Sequence, residues 1–534
     1  MTRTCSHRSS PGAPGSAVRV GVLCALLAGA SCRSHPPPGD GPAPSGGPEA
    51  AASVSAVPSG SAAASASASS EAPCAGSSSA CGPAPGAPPS GPWGDKLLYS
   101  TAIETWVRAV ASSGGRVLGY LRVGGSVRRS DGPVSTEGCK GGWFAIEPRG
   151  FVCANDAATL ESEANMVALA QPLPARGEPL PFAYAKVKSP APHYYTKIPS
   201  REDMRKVEGG EAVARIERAI PDPNLDLIGP AIEVPPLLAQ GGRIPRPIGT
   251  APRLRFWVHT GRADPGTRVA ILSHFIAEKR HYVITSQLDL VPLDRLTIVK
   301  PSAFHGIELK EGQGLPVGFV RGKAATGYKA DDKGNLTQAV ALGPKQAMAL
   351  TGQERKEKGG TLLETSDGVW VPSTALILLD ARKNIPSFVK SDDMRWIDID
   401  IRSQSLVAWQ GKKPVYATLV STGTGFLGDP ETTHATPRGV FTIFSKHVST
   451  KMSGDELGAE YQIDDVPYVQ YFHKSYALHG AFWHDSFGQI HSHGCVNLAP
   501  ADAAWIFEFT SPELPKGWHG AHAASGGTTV FIHE

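Results

Sequence analysis

The residues best able to do chemistry sit near the end of the chain, as His479-Gly480 and, one spacer later, Ser492-His493-Gly494-Cys495-Val496-Asn497. A cysteine becomes a nucleophile when a base takes its proton, and that base needs a further group to hold its ring. His479 and Cys495 supply the first two if neighbouring strands bring them together. Gly494 leaves no Cβ beside the thiol, so a substrate carbonyl can approach the backbone and meet amide N–H groups around Cys495. This set suffices for acyl transfer through a thioester. The competing use is zinc, because His473, His479, His484, His491, His493 and Cys495 fall close together. His491 and His493 would share one strand face with Cys495 following on it, but the spacing fits neither a zinc finger nor an H-E-x-x-H helix, and no metal is expected. For His484, between Trp483 and Asp485, the expectation is a polar position on the rim of the cleft.

The elements that must position these groups begin near Met394. In Trp396-Ile397-Asp398-Ile399-Asp400-Ile401 the isoleucines alternate, which places Ile397, Ile399 and Ile401 on one face of a strand. Leu406–Trp409, the turn-prone Gln410-Gly411 and Val415–Val420 continue an antiparallel meander. One helix is expected: Pro500 suits a first helical position, Ala501–Phe509 follows, and Pro512 stops it.

The His-Gly, spacer, Ser-His-Gly-Cys-hydrophobic-Asn pattern resembles the YkuD-type catalytic domain of L,D-transpeptidases. Thr436-Pro437-Arg438-Gly439-Val440-Phe441 is similar to the Thr-Pro-x-Gly-x-Phe segment seen upstream of it in that family. The resemblance covers about a quarter of the chain. It implies Cys495 as nucleophile and His479 as general base, with the Gly480 carbonyl orienting the imidazole. It further implies that Ser492, His493 and Gly494 form the loop shaping the oxyanion site. Asn497, Gly439 and His484 are candidate substrate contacts. Many family members carry Arg where Asn497 stands, so a cationic clamp has no support at that position. The implied substrate is the peptidoglycan stem peptide: thiolate attack on its third residue, departure of terminal D-alanine, and a 3→3 crosslink when an amine resolves the thioester. With water as acceptor the same site is an L,D-carboxypeptidase, and a protein acceptor gives attachment to the wall. Two rivals are a cysteine endopeptidase of the NlpC/P60 type, in which the cysteine precedes its histidine, and a non-catalytic wall-binding protein, against which every motif residue is present.

Upstream, Thr285–Leu296 can be laid over Thr365–Leu376 at a constant offset of 80, with Thr, Ser, Val, Pro and Leu coinciding. Leu180-Pro181-Phe182-Ala183-Tyr184 resembles Leu315-Pro316-Val317-Gly318-Phe319 at an offset of 135, so the first copy carries an insertion. Short β-branched runs between Gly/Asp turns predict small all-β barrels. Ser366-Asp367-Gly368-Val369-Trp370-Val371-Pro372 resembles the closing strands of bacterial SH3-like domains. Gly119–Gly124, leading into a hairpin over Gly142–Val152, suggests a third such module, stapled by a Cys139–Cys153 disulfide. Of the other cysteines, Cys5, Cys24 and Cys32 fall in the leader and Cys74 and Cys81 in the linker, which leaves Cys495 as the thiol of the C-terminal region.

Arg3, Arg8 and Arg19 precede the apolar stretch Val20–Ala30, as in a secretory leader, and Gly29-Ala30-Ser31 before Cys32 resembles a lipoprotein signal with Cys32 as the lipidated residue. From Arg33 to Pro92 the chain is almost entirely Pro, Gly, Ala and Ser, with nothing to build a core, and a disordered tether is expected. Lysine and arginine number 52 against 49 acidic residues, a net charge of +3, which gives no ground for nucleic-acid binding. No run of about 20 apolar residues occurs, so membrane contact is expected only through the anchor. The expected organisation is signal 1–32, linker 33–92, SH3-like modules at 93–175, 176–300 and 301–385, and a mainly β, YkuD-type sandwich at 390–534. The protein is expected in the periplasm or cell envelope, with no cofactor.

Overall fold

The computed structural model describes residues 94–216, 221–382, 384–453, 462–523 and 525–534. Leader, tether and Cys32 lie outside the described residues, as do Cys5, Cys24, Cys74 and Cys81. The fold is mainly β, as the sequence predicts.

Alternation sets the C-terminal architecture. Ile397, Ile399 and Ile401 point to one side of the strand Arg395–Asp400 and its continuation, and all three are fully buried. Trp396, on the other side, stacks on Trp409 at 5.2 Å in a different cluster. The meander Arg395–Asp400, Ser405–Gln410, Lys413–Leu419 forms antiparallel pairs, and the last strand, Thr529–His533, returns parallel to the first. A second sheet holds Ser445–Ser453, Gln462–His473, Tyr476–Gly480 and Val496–Leu498. Between the sheets lies the main core, which also receives the helix Pro500–Phe509 through Ile506 and Phe507. Each such fully buried side chain contributes about 1.5–3 kcal/mol.

Three upstream regions pack on this body. In the first, the hairpin Trp143–Ala145/Phe151–Cys153 is bridged by Cys139 and Cys153, 5.9 Å apart at Cα. Closing a loop of that length stabilises by about 3 kcal/mol in the chain-entropy picture. Its strand Val117–Leu121 pairs directly with Gly520–His522, so this region and the C-terminal body share one sheet.

The two repeat copies run in the same element order. Strands Arg280–Thr285 and Leu290–Pro292, the turn Leu293–Arg295 and strand Leu296–Ile298 recur as Gly360–Thr365, Trp370–Pro372, Ser373–Ala375 and Leu376–Leu379. The turn chemistry recurs too: Thr285 and Thr365 donate their N–H to Asp289 and Val369 carbonyls, and Ser286 and Ser366 to Ala270 and Ala349. At the opening strand the register differs from the sequence alignment. Val187 pairs with Leu296 as Val320 pairs with Leu376, an equivalence two residues shorter than the offset of 135. Leu-Pro similarity had aligned the lead-in loops rather than the strands. The insertion carries the helices Arg201–Glu208 and Gly210–Ile216. A boundary also moves: Ile307–Glu308, expected in the 301–385 module, is an edge strand of the C-terminal meander sheet, paired with Tyr416–Ala417. The segment is fixed there by Asp502, which accepts from the Gly306 N–H at 2.7 Å and the Tyr416 hydroxyl at 2.6 Å.

Candidate active site

Strands Tyr476–Gly480 and Val496–Leu498 lie side by side in parallel, with Leu478 opposite Val496 and His479 opposite Asn497. Leu478 and Val496 point into the main core, so alternation turns His479 and Asn497 to the outer face. Cys495, immediately before Val496, packs on that outer face with Ala477, Phe482 and Trp483. The face is roofed by Phe182, Tyr184 and Ala270 of the first repeat copy; Tyr184 and Phe482 stack at 3.8 Å. Gly480 sits tightly between Pro467 and helix Pro500–Phe509, since a Cβ there would lie 3.0 Å from Pro467 Cγ and 3.2 Å from Ala503 Cβ.

His479 is buried, its ring stacked on Trp483 at 5.8 Å, and its Nδ1 lies 3.1 Å from the carbonyl oxygen of Gly480. Nδ1 therefore carries the hydrogen and donates it, leaving the Nε2 lone pair available. Burial, only partly offset by the Gly480 carbonyl, pushes the pKa down to about 4, so the ring is neutral at neutral pH. The Cys495 sulfur is half-buried and lies 3.8 Å from the carbonyl oxygen of Ser475. Its neighbour Tyr471 has a phenol raised to about 12 by burial and by the charge of Cys495.

The loop before the cysteine is clamped by two hydroxyls. Ser492 Oγ donates to the Cys495 carbonyl and accepts from the Gly494 N–H at 3.1 Å. Thr436 Oγ1 donates to the Gly494 carbonyl at 2.8 Å and accepts from the Gly423 N–H at 2.9 Å. Gly494 has φ +118°, and a Cβ there would come within 2.6 Å of the Tyr476 ring, so no other residue fits. The Gly494 amide is occupied by Ser492, which narrows the expectation that amides around Cys495 hold an oxyanion.

The remaining candidates separate. Asn497 Nδ2 lies 3.0 Å from His484 Nε2; because His484 Nδ1 accepts from the Ser486 N–H, Nε2 carries the hydrogen, and turning the Asn497 amide to present Oδ1 matches it. Burial first, then the neighbouring His491 and His479, lower the His484 pKa to about 3. His493 is exposed, with its ring 4.7 Å from His434. His491 and His493 lie in a loop rather than on one strand face, which removes the geometry considered for zinc, and no group of three metal-ligating side chains occurs among the described residues. Gly439 opens the edge strand Gly439–Thr442, paired with Ile532 in the meander sheet. In its segment it is Thr436 that bonds to the 492–495 loop. Asp485 is held by Lys345 at 2.7 Å and Ser302 at 2.5 Å, and it makes no hydrogen bond to His479. A cavity of about 850 Å³ borders the site through Phe482, Trp483, His484 and Asp485 and is otherwise lined by the 299–307 strap and residues 344–347. Thr436 belongs to the Thr-Pro-x-Gly-x-Phe segment, whereas Trp483 and Lys345 carry no sequence signal, since their roles depend on contacts across the fold.

Residues 394–532 match the YkuD family, described as an L,D-transpeptidase catalytic domain. YciB of Bacillus subtilis, named as an L,D-transpeptidase, is 28% identical over 138 residues, 23% of this chain and 63% of that protein. A crystal structure of an L,D-transpeptidase from Xylanimonas cellulosilytica is 26% identical, covering 28% of this chain and 65% of that one, with a TM-score of 0.21. L,D-transpeptidase 3 from Mycobacterium tuberculosis, in complex with a faropenem-derived adduct, is 19% identical over 35% of this chain and 79% of that one, with a TM-score of 0.21. The chain thus spans under two thirds of the Bacillus and Xylanimonas proteins it matches. With the motif, the two sheets and the family match in agreement, residues 394–532 are a YkuD-type L,D-transpeptidase catalytic domain.

Proposed function

We propose that the protein is an envelope peptidoglycan L,D-transpeptidase acting through Cys495 and His479. Rotation about the Cys495 Cα–Cβ bond brings the thiol to His479 Nε2, which takes its proton as sulfur attacks the carbonyl of the third stem residue. The Ser492 and Gly494 amides are bonded to the Thr422 carbonyl and the Ser492 hydroxyl, and the amides of His493 and Cys495 hold the oxyanion. His479 returns the proton to the departing D-alanine nitrogen, leaving a thioester. An amine from a neighbouring stem then attacks the thioester and loses its proton to His479, and the Cys495 thiolate leaves, giving a 3→3 crosslink. Water in the same position gives carboxypeptidase activity. The observation carrying this reading is the parallel pairing that sets His479 one strand from Cys495 while the Gly480 carbonyl fixes its tautomer. Export, lipidation at Cys32 and a tether with a reach of roughly 40–45 Å would place the domain at the wall, with the repeat copies as SH3-like barrels beside it. Mass spectrometry of stem peptides after incubation with wild type and Cys495→Ala tests the chemistry. Crosslinked or trimmed stems are expected from wild type alone, and equal product from the variant contradicts the assignment. Membrane fractionation of Cys32→Ser tests the anchor, with release expected.

A further inference from the structure

Arg268 opens the strand Arg268–Ala277 of the first repeat copy, and its backbone is fixed beside the catalytic sheet by the parallel bridge to Ile463 and by Lys186 on its other side. Its guanidinium lies 5.9 Å over the Trp483 ring, the same ring that stacks on His479. The cation and the imidazole therefore share one indole as a neighbour. Arg268 is half-buried, and its side chain makes no ion pair or hydrogen bond with any described residue. Its pKa is lowered, with burial as the cause. Lys345, the cation on the other flank of the 482–485 loop, differs: Asp485 neutralises it at 2.7 Å.

A guanidinium taken partly out of water with no acceptor among the described residues is costly, and the cost is recovered when a carboxylate arrives. The planar fork suits that group better than any other in a peptide. We infer that Arg268, supplied by the first repeat copy, binds a carboxylate of the stem peptide while its acyl carbonyl is presented to Cys495. The inference rests on the transpeptidase reading above. The first repeat copy is then part of the substrate site, and Trp483 acts as the shared wall between the carboxylate end and the reacting end. Two carboxylates of a stem could fill this role: that of the terminal D-alanine, and that on the side chain of the diamino acid.

The test is steady-state release of D-alanine from a tetrapeptide stem by the full chain, with wild type, Arg268→Ala and Arg268→Lys. Three peptides are compared: one with both carboxylates free, one amidated at D-alanine, and one amidated at the diamino-acid side chain. Loss of a charge-assisted pair should raise KM for the free peptide about 10- to 100-fold in Arg268→Ala, with kcat within about threefold, and Arg268→Lys should recover part of it. One amidation should impose the same KM rise on wild type and leave Arg268→Ala unaffected, which identifies the carboxylate. Alkylation of Cys495 by iodoacetamide, located by peptide mapping, should proceed equally in wild type and variants and shows the site intact. An active wild type whose KM is unchanged by Arg268→Ala, or amidations that penalise both proteins equally, overturns the role of Arg268 alone. A wild type that releases no D-alanine overturns the transpeptidase reading as well.

Discussion

Two buried imidazoles in this molecule do opposite work. His519 lies in a junction where Asp465 is gripped by Arg122 of the first region, at 2.9 Å through each nitrogen, by Ser286 of the first repeat copy and by Ser449 at 2.7 Å. His519 Nε2 meets the Ser449 hydroxyl at 3.0 Å. Burial would raise the Asp465 pKa, but Arg122 and the two hydroxyls overcome it and hold the carboxyl ionised. Every partner is a side chain or carbonyl from another element, so the network locks three regions together. His479 has one main-chain carbonyl from the next residue and one stacked indole. No carboxylate among the described residues orients it. Burial pushes the His519 pKa down to about 3, so both rings are neutral at neutral pH. The difference lies in their partners, since His519 is tied into the Arg122–Asp465 ion pair that specifies assembly, whereas His479, held by one carbonyl, keeps a ring nitrogen able to accept and return a proton.

The largest effect expected from breaking this contrast is at His479. His479→Ala should lower single-turnover acylation of Cys495 by a penem by at least about a thousandfold, on the order of 4 kcal/mol, with little change in thermal midpoint. Asp465→Ala should do the reverse. Removing one partner of a buried pair leaves Arg122 uncompensated and costs about 3–5 kcal/mol, read by urea or thermal unfolding, while acylation per folded molecule stays close to wild type.

The pH response sharpens the comparison. With His479 at about 4, the acid limb of the acylation rate should fall near pH 4 instead of near the ordinary histidine value of about 6.5. Stability follows the same group. The folded pKa is depressed, so between about 6.5 and 4 the unfolded chain binds the proton that the folded chain refuses. The contribution is therefore complete above about pH 6.5 and is lost as pH falls toward 4, on the order of 2 kcal/mol by pH 4.5. Denaturation midpoints measured across that range should decline, and less steeply in His479→Gln. The smallest effect is expected for Asp485→Asn. Asp485 pairs with Lys345 and Ser302, so the acylation rate should change by less than about tenfold, or roughly 1.4 kcal/mol. A loss equal to that of His479→Ala would mean that a carboxylate orients the base after all.

What could be read from the sequence was local. Period-two alternation set the face of Ile397, Ile399 and Ile401, Pro500 and Pro512 bracketed the helix, and the hairpin between Cys139 and Cys153 followed from two apolar runs. The motif named His479 and Cys495 because their spacing carries chemistry. The tandem similarity around Thr285 and Thr365 lay in turns, where side-chain identity is dictated by hydrogen bonding. Other features lack such a signature. Arg268 and Trp483 are 215 positions apart and meet only because a strand of the first repeat copy lies beside the catalytic sheet. The Ile307–Glu308 edge strand is too short for periodicity to show. His491 and His493 alternate as a strand would, yet the turns around Gly488 and Gly494 make that segment a loop.

The central claim is that Cys495 is the acylated nucleophile of this domain. Intact-mass and peptide-mapping spectrometry of the full chain after exposure to faropenem tests it most directly. One adduct is expected, confined to the peptide containing Cys495 and absent from a folded Cys495→Ala variant. An adduct on another residue, or one that persists in the variant, would contradict the claim.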